Sequence, residues 1–178
     1  MNIAQRLLKK IPQYTRGSRH VRSVVQHGTL RKWANLARVE AERKLHRVEV
    51  KGHPYLLIID PCNYCNLRCP LCPTGLEKLG RTQSMMSLDC FKQWFDPHAP
   101  NLFEVYLHNW GESLMNPQLF DMVEHAQRAN VGTNLSSNLV IAKRNHLDAM
   151  VDSGLEYLVV SLDGVDQASY EPYRVRGD

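Results

Sequence analysis

The chain has 178 residues, of which 43% are hydrophobic and 22% charged, and its formal net charge is +4. This length allows one domain with a real core. No apolar run approaches the roughly 20 residues that a membrane span needs. We therefore expect no transmembrane segment, and the sequence gives no clear signal for nucleic-acid binding.

The charges are distributed unevenly along the chain. Residues 1–39 contain nine Lys or Arg and no Asp or Glu, whereas the remainder carries 13 Lys or Arg against 18 acidic residues. An acid-free basic leader is typical of an organelle transit peptide or of a segment that binds an anionic surface. An ordinary pair of helices, with Ile3, Leu7, Leu8 and Ile11 on one face, is the other interpretation. We divide the chain into a basic helical extension (1–53) and a core (54–178).

Helix comes first in chain order, and strands and helices then alternate. The first fifty residues favour helix, most clearly at Leu30–Val48. Strand-like runs follow at Tyr55–Asp60, Leu102–His108, Val131–Ser136 and Glu156–Leu162, separated by helix-like segments at Ser87–Phe95, Pro117–Ala129 and Ala142–Asp152. This alternation predicts βαβ units and a parallel sheet.

The predicted helix ends carry recognisable signals. Ser87 is suited to an N-cap, Pro117 to a first helical position, and Gly154 to a helix C-cap. Gln167–Arg174 opens another helix close to Asp178. Because a closed (β/α) barrel takes about eight strands, we expect the chain to be a fragment of a longer protein and to be inactive on its own.

Four of the five cysteines lie within eleven residues, at Cys62, Cys65, Cys69 and Cys72. Clustering of this kind, without anything resembling an export signal, indicates metal binding in a reducing compartment, and hence the cytoplasm. The cluster follows the first predicted strand directly. That position is the carboxyl end of the strand, where α/β folds bind ligands.

The cysteine spacing by itself leaves several chemistries open. A structural zinc site could use all four thiols, although such sites favour two pairs separated by a longer loop. The end of a ferredoxin run is matched by Cys65, Cys69 and Pro70, but one preceding cysteine is missing. A cluster with three cysteine ligands and one open iron is the third interpretation, and buried unligated thiols are the last.

The segment Cys65-Asn66-Leu67-Arg68-Cys69-Pro70-Leu71-Cys72 resembles the C-x3-C-x-φ-C signature of the radical S-adenosylmethionine (SAM) superfamily. The resemblance implies that Cys65, Cys69 and Cys72 hold a [4Fe-4S] cluster whose open iron chelates SAM. It also implies that Leu71 lies beside the adenine. Cys62 falls outside the signature and is expected to be a non-ligand.

A second segment, His108-Asn109-Trp110-Gly111-Glu112, is similar to the G-G-E motif of the same superfamily, with Trp110 in place of the first glycine. The resemblance implies that Gly111 and Glu112 bind the amino group of the methionine moiety. A carboxylate suits an ammonium partner, and glycine allows close approach of the backbone. A strand-to-loop turn with an exposed glutamate is the alternative.

The ends of the third and fourth strands are polar as well. Ser161-Leu162-Asp163-Gly164 is similar to the S-I/L-D-G segment of SPASM-type radical SAM enzymes. This likeness implies that Ser161 and Asp163 face the ribose or carboxylate of SAM. Arg174 has the charge to pair with the SAM carboxylate, and a surface ion pair is an equal alternative. The residues of 133–138 could bind a ligand or serve as turn residues.

The resemblance implies an α/β fold, a partial parallel (β/α) barrel of the radical SAM type preceded by N-terminal helices. It also implies reductive cleavage of SAM to a 5′-deoxyadenosyl radical that modifies a peptide, sugar or other small molecule. An external one-electron reductant of the flavodoxin or ferredoxin type would supply the electron. The alternative is a non-catalytic iron–sulfur or zinc-binding protein, either an electron carrier or a degenerate remnant.

Overall fold

Two helices precede the sheet in the computed structural model, which describes residues 19–78 and 80–177. Helix α1 spans Arg19–Gln26 and α2 spans Leu30–Lys44. Thr29 caps α2 by accepting a hydrogen bond from the backbone N–H of Lys32. The apolar face predicted at residues 3–11 lies outside the described residues.

Helix α2 ends four residues before the predicted boundary at Val48. The reversal is made at His46, which adopts a left-handed φ of 49°. It brings the following segment back onto the helix, where the Glu42 carboxylate accepts the backbone N–H groups of Lys51 (2.9 Å) and Gly52 (3.1 Å). Contacts made outside the helix, which a helical pattern does not reveal, therefore set its end.

The core is a four-stranded parallel sheet in the order β1-β2-β3-β4, which confirms the predicted alternation. The strands are β1 (Leu56–Ile58), β2 (Glu104–Tyr106), β3 (Gly132–Ser137) and β4 (Tyr157–Val160). The helices that follow them are α3 (Leu88–Phe95), α4 (Leu119–Arg128), α5 (Arg144–Asp152) and the short α6 (Gln167–Tyr170). The fold is thus α/β, as expected.

Two of the three signals at the helix ends are confirmed. The Ser87 hydroxyl accepts the Cys90 N–H at 3.1 Å, and Gly154 follows α5 with a φ of +78°. The expectation for Pro117 was wrong by two residues, since α4 begins at Leu119. The cause is Asn116, whose side chain accepts the Gln118 N–H and donates to the carbonyl of Pro61, so residues 116–118 form a turn.

The two faces of the sheet differ in polarity. The outer face packs on the helices and forms the hydrophobic core, which includes Val105, Leu107, Leu135, Phe91, Phe95, Leu119, Met122, Val123 and Met150. Because side chains alternate along a strand, the inner face carries the intervening residues, among them Glu104, Tyr106, His108, Asn134 and Ser136. This polar inner face leads towards the carboxyl ends of the strands.

Helices α1 and α2 lie at the opposite edge, where the strands begin. Ser23 donates to the Phe103 carbonyl at 2.9 Å, and the Lys32 ammonium donates to the Asn130 carbonyl at 2.6 Å. Arg31 donates to the Asn101 side chain at 3.2 Å. The amino edge of the sheet is therefore covered. Of the helices that the structure describes, none is both long and apolar enough to cross a membrane.

Lys32 should make stability depend on alkaline pH. Only 2% of this residue is exposed, and burial lowers its pKa from 10.5 to about 8. Between these pH values the unfolded chain binds more protons than the folded one, so the contribution of Lys32 to stability rises with pH. Urea unfolding of wild type and Lys32→Met from pH 7 to 10 measures this. Above about pH 8 the free energy of unfolding of wild type should rise relative to that of the variant. A difference between the two free energies that does not change with pH would contradict the prediction.

Candidate functional site

A cavity of about 240 Å³ lies at the carboxyl ends of the strands. Its walls come from the cysteine loop after β1, the loops after β2, β3 and β4, and the segment after α6. Seven of the nine residues predicted to bind the cluster or SAM line it: Cys65, Cys69, Cys72, Gly111, Glu112, Ser161 and Arg174. Residues distant in sequence are thus brought to one place by the parallel topology.

The cysteine loop is fixed by its own backbone and by one apolar anchor. Leu67 is fully buried, and the Arg68 N–H donates to the Val175 carbonyl at 2.9 Å. The Cys72 N–H turns back to the Cys69 carbonyl at 3.2 Å. These contacts hold three cysteines against one cavity from a single loop.

Cys62 stands apart from the other three cysteines. It is 1% exposed, does not line the cavity, and lies within hydrogen-bond distance of the Tyr64 carbonyl, 3.4 Å from its sulfur. Burial raises the pKa of this thiol, which favours the protonated, donating form. Its assignment as a non-ligand stays a prediction.

Glu112 is a buried carboxylate that joins the ends of two strands. It accepts hydrogen bonds from the Leu114 N–H (3.1 Å), the Ser137 hydroxyl (2.9 Å) and the Asn138 N–H (2.9 Å). Burial raises the pKa of Glu112, while these hydrogen bonds act in the opposite direction. Since a carboxylate has about four lone-pair positions, acceptance of three donors still leaves capacity towards the cavity.

Gly111 marks the closest approach between the loop after β2 and the cysteine loop. A Cβ atom at this position would lie 1.6 Å from the Cys62 carbonyl oxygen. The neighbouring Glu112 N–H donates to the Tyr64 carbonyl at 2.9 Å. The glycine therefore fits a backbone-to-backbone contact that any side chain would obstruct.

Two residues that hold the loop after β2 in place were not predicted from the sequence. The Trp110 N–H donates to the Asp60 carboxylate at 2.9 Å, and the Thr74 hydroxyl donates to the Trp110 carbonyl at 2.5 Å. Asp60 lies two residues before Cys62 and Thr74 two residues after Cys72, and this position is the signal that could have identified them. Together they fix the backbone at Trp110, where the superfamily motif has glycine.

The remaining predicted residues are placed differently from one another. Ser161 lies 3.1 Å from the Ser136 hydroxyl on the cavity wall. Asp163 forms an ion pair with Arg174, which also donates to the Cys69 sulfur at 3.7 Å. Leu71 is 80% exposed and does not line the cavity, so it lies apart from the predicted residues that do. The roles of all four towards SAM stay predictions.

The polar end of β3 also belongs to the cavity wall, through Ser136, Ser137 and Asn138. The Asn138 amide nitrogen is 3.7 Å from the Cys65 sulfur, and the Leu67 N–H donates to the same sulfur at 3.4 Å. Burial raises the pKa of the Cys65 thiol, while the N–H donor of Leu67 acts in the opposite direction, towards the thiolate that binds metal. The chemistry of the donor set therefore fits a cluster held by cysteine.

No group of three or more His, Cys, Asp or Glu side chains in residues 19–78 and 80–177 is arranged so that it could hold a metal ion. This statement applies to a site for one ion. Thiolates around a single zinc lie about 3.8 Å apart, given Zn–S bonds of about 2.3 Å in a tetrahedron. The cysteines of an iron–sulfur cluster bind different irons, so their sulfurs lie farther apart than ligands of one ion.

Sequence comparison finds relatives named PqqA peptide cyclase. The protein of Bradyrhizobium diazoefficiens is 27% identical over 127 residues, covering 71% of this chain and 33% of its own. That of Rhodopseudomonas palustris is 30% identical over 117 residues, covering 65% of this chain and 30% of its own. The chain thus spans about a third of the length of the curated relatives that it matches. No protein-family model matches the chain.

Solved structures share the fold. SuiB of Streptococcus suis bound to S-adenosylmethionine superposes with a TM-score of 0.59 and 17% identity, over 78% of this chain and 31% of that one. BtrN in complex with AdoMet and 2-DOIA gives a TM-score of 0.52 and 16% identity, over 63% of this chain and 47% of that one. The four strands thus form a partial barrel of the radical SAM type. In sequence the chain resembles the relatives named PqqA peptide cyclase, and in fold it resembles SuiB and BtrN; these likenesses support placing it in the radical SAM superfamily.

Substitution at Gly111 should damage the site through the backbone. Gly111→Ala forces the loop after β2 away from Cys62. It should lower the free energy of unfolding by an amount near the high end of the range of about 1–3 kcal/mol. Gly80→Asn is the control, because Gly80 has a φ of +65° with open space around it, and asparagine tolerates that conformation at about 1 kcal/mol or less. Urea unfolding compares the two variants; equal, small losses would show that the loops separate without cost.

Proposed function

We propose that the protein is a radical SAM enzyme that cleaves SAM reductively at a [4Fe-4S] cluster. The observation that carries the proposal is the convergence of Cys65, Cys69 and Cys72 with Glu112 on one cavity at the carboxyl ends of the strands. Three thiol ligands leave a fourth iron open, which suits a cluster that must bind the molecule it reduces. When bound, the cluster would supply the electron that converts SAM to a 5′-deoxyadenosyl radical.

The residues of the chain would place SAM and exclude water. Glu112 offers a carboxylate to the ammonium group, and Arg174 offers a guanidinium to the carboxylate, as charge-assisted bonds between such groups are strong. Ser161 and Asp163 would meet the ribose or the carboxylate, and Leu71 the adenine. Because Leu71 is exposed, we infer that it reaches the adenine only if the loop or SAM itself covers it.

A peptide is the substrate class that we propose. Support comes from relatives named PqqA peptide cyclase and from the likeness to SuiB bound to precursor peptide SuiA, with a TM-score of 0.54. An external one-electron reductant of the flavodoxin or ferredoxin type would deliver the electron. We place the protein in the cytoplasm, where thiols stay reduced.

The ligand set can be tested by cysteine substitution. Reconstituted anaerobically, the protein should hold about four iron and four sulfide. Cys65→Ala, Cys69→Ala and Cys72→Ala should each abolish the visible absorbance of the cluster, whereas Cys62→Ala and the control Cys90→Ala should retain it. Iron and sulfide analysis with absorption spectra measures the outcome. Loss of the cluster in Cys62→Ala would overturn the three-ligand assignment, and zinc in place of iron would support the non-catalytic alternative.

The assignment of Glu112 predicts a defect in SAM binding. Glu112→Gln removes one charge-assisted bond, worth roughly 1.5–3 kcal/mol, or about tenfold to more than a hundredfold in affinity. The variant should keep its iron. Its amide NH2 must also face one of the donors at Leu114, Ser137 or Asn138, so some loss of stability is expected.

The control for this substitution is Glu77→Gln, which removes an exposed carboxylate paired with Arg68 outside the cavity. Equilibrium binding of SAM to the three iron-loaded proteins is the measurement. Glu77→Gln should bind SAM as wild type does. Unchanged affinity in Glu112→Gln would make Glu112 a structural residue only.

A further inference from the structure

Asn138 bridges the end of β3 and the cysteine loop. Its amide nitrogen is 3.1 Å from the side-chain oxygen of Asn66 and 3.7 Å from the sulfur of Cys65. These two neighbours are adjacent in sequence and belong to the loop after β1, more than seventy residues earlier in the chain. One side chain thus connects the third strand to the first of the predicted cluster ligands.

The orientation of the Asn138 amide is settled by its other contacts. Its side-chain oxygen accepts the backbone N–H of Val140 at 3.0 Å, which only the oxygen can do. The NH2 group must therefore be the end that faces Cys65 and Asn66. The backbone N–H of Asn138 is bound to the buried Glu112 carboxylate at 2.9 Å, so the residue is held from both sides.

An N–H donor on a ligand sulfur changes the energy of a cluster. Reduction adds negative charge that spreads onto the cysteine sulfurs, and a donor there stabilises the reduced form more than the oxidised one. Hydrogen bonds to the sulfurs are among the determinants of iron–sulfur potentials, and such outer contacts also orient the ligands. Cys65 receives two donors of this kind, from Asn138 and from the Leu67 N–H.

We propose that Asn138 is a positioning residue that fixes Cys65 and raises the reduction potential of the cluster bound there. The inference rests on the proposed function, since it requires the cluster, and it adds a residue that the SAM-binding assignments do not include. Its consequence for the reaction is direct. A higher potential makes it easier for an external donor to load the electron, and it lowers by the same amount the driving force for passing that electron to SAM.

The test is a redox titration of the anaerobically reconstituted full chain without SAM, followed by electron paramagnetic resonance of the reduced cluster. Asn138→Ala should retain its iron and lower the midpoint potential. A tenfold fall in the equilibrium constant for one-electron reduction corresponds to about 59 mV. A spectrum of the reduced cluster that differs from wild type should accompany the shift, because the donor to one ligand has been removed.

Ser137→Ala is the matched control. The Ser137 hydroxyl accepts the Leu139 N–H and donates to Glu112, so the variant loses turn contacts like those of Asn138 but no contact with sulfur. Its shift in potential should be smaller than that of Asn138→Ala, because it removes no donor from the sulfur. Equal shifts in both variants would show that turn geometry, and not the donor, sets the potential.

Asn138→Asp keeps the side-chain oxygen that accepts the Val140 N–H and removes the NH2 donor that faces Cys65. This variant is the second test if Asn138→Ala fails to hold iron. It should also lower the potential, since its added charge acts in the same direction. A wild-type potential in Asn138→Ala, or loss of the cluster from both Asn138 variants, would overturn the proposal. Failure of wild type itself to bind a cluster would instead overturn the proposed function.

Discussion

The carboxylate of Glu112 is the interaction on which the geometry of the site depends. It is nearly fully buried, and its three donors come from its own loop and from the end of β3. Through its backbone N–H the same residue holds the cysteine loop at Tyr64. One residue thus joins the loops after β1, β2 and β3. A buried carboxylate left without hydrogen-bond donors would be costly. Its neighbour Gly111 allows the loops to meet.

This arrangement explains why the site could be found in the sequence only in part. The cysteine spacing and the N-W-G-E segment are local patterns, and the parallel topology brought them to one edge of the sheet as expected. Asp60 and Thr74 were missed because each acts on Trp110, a residue far along the chain. Contacts between distant loops leave no hydrophobic period, and only the position of these two residues beside the cysteine segment could have pointed to them.

The order of strands and helices could be predicted from the sequence more accurately than the ends of the helices. Alternating apolar runs and helical patterns predicted all four strands, and Ser87 and Gly154 marked helix ends correctly. The errors at Val48 and Pro117 have one physical origin. In each case a side chain, Glu42 or Asn116, binds backbone groups outside the helix, and such competition for hydrogen bonds is not expressed in hydrophobic periodicity.

The two edges of the sheet are stabilised by different contacts, and this difference determines what oxidation of the cysteines can damage. Helices α1 and α2 secure the amino edge, and the hydrophobic core lies between the outer face and α3–α5. Leu67 of the cysteine loop is fully buried, but it lies outside that core cluster. Oxidation of a loop cysteine such as Cys65 or Cys72, both partly exposed, alters side chains of the loop and not those of the core. The contacts that hold the sheet and its helices together are therefore separate from the thiols, and we expect oxidation of the thiols to leave this framework folded.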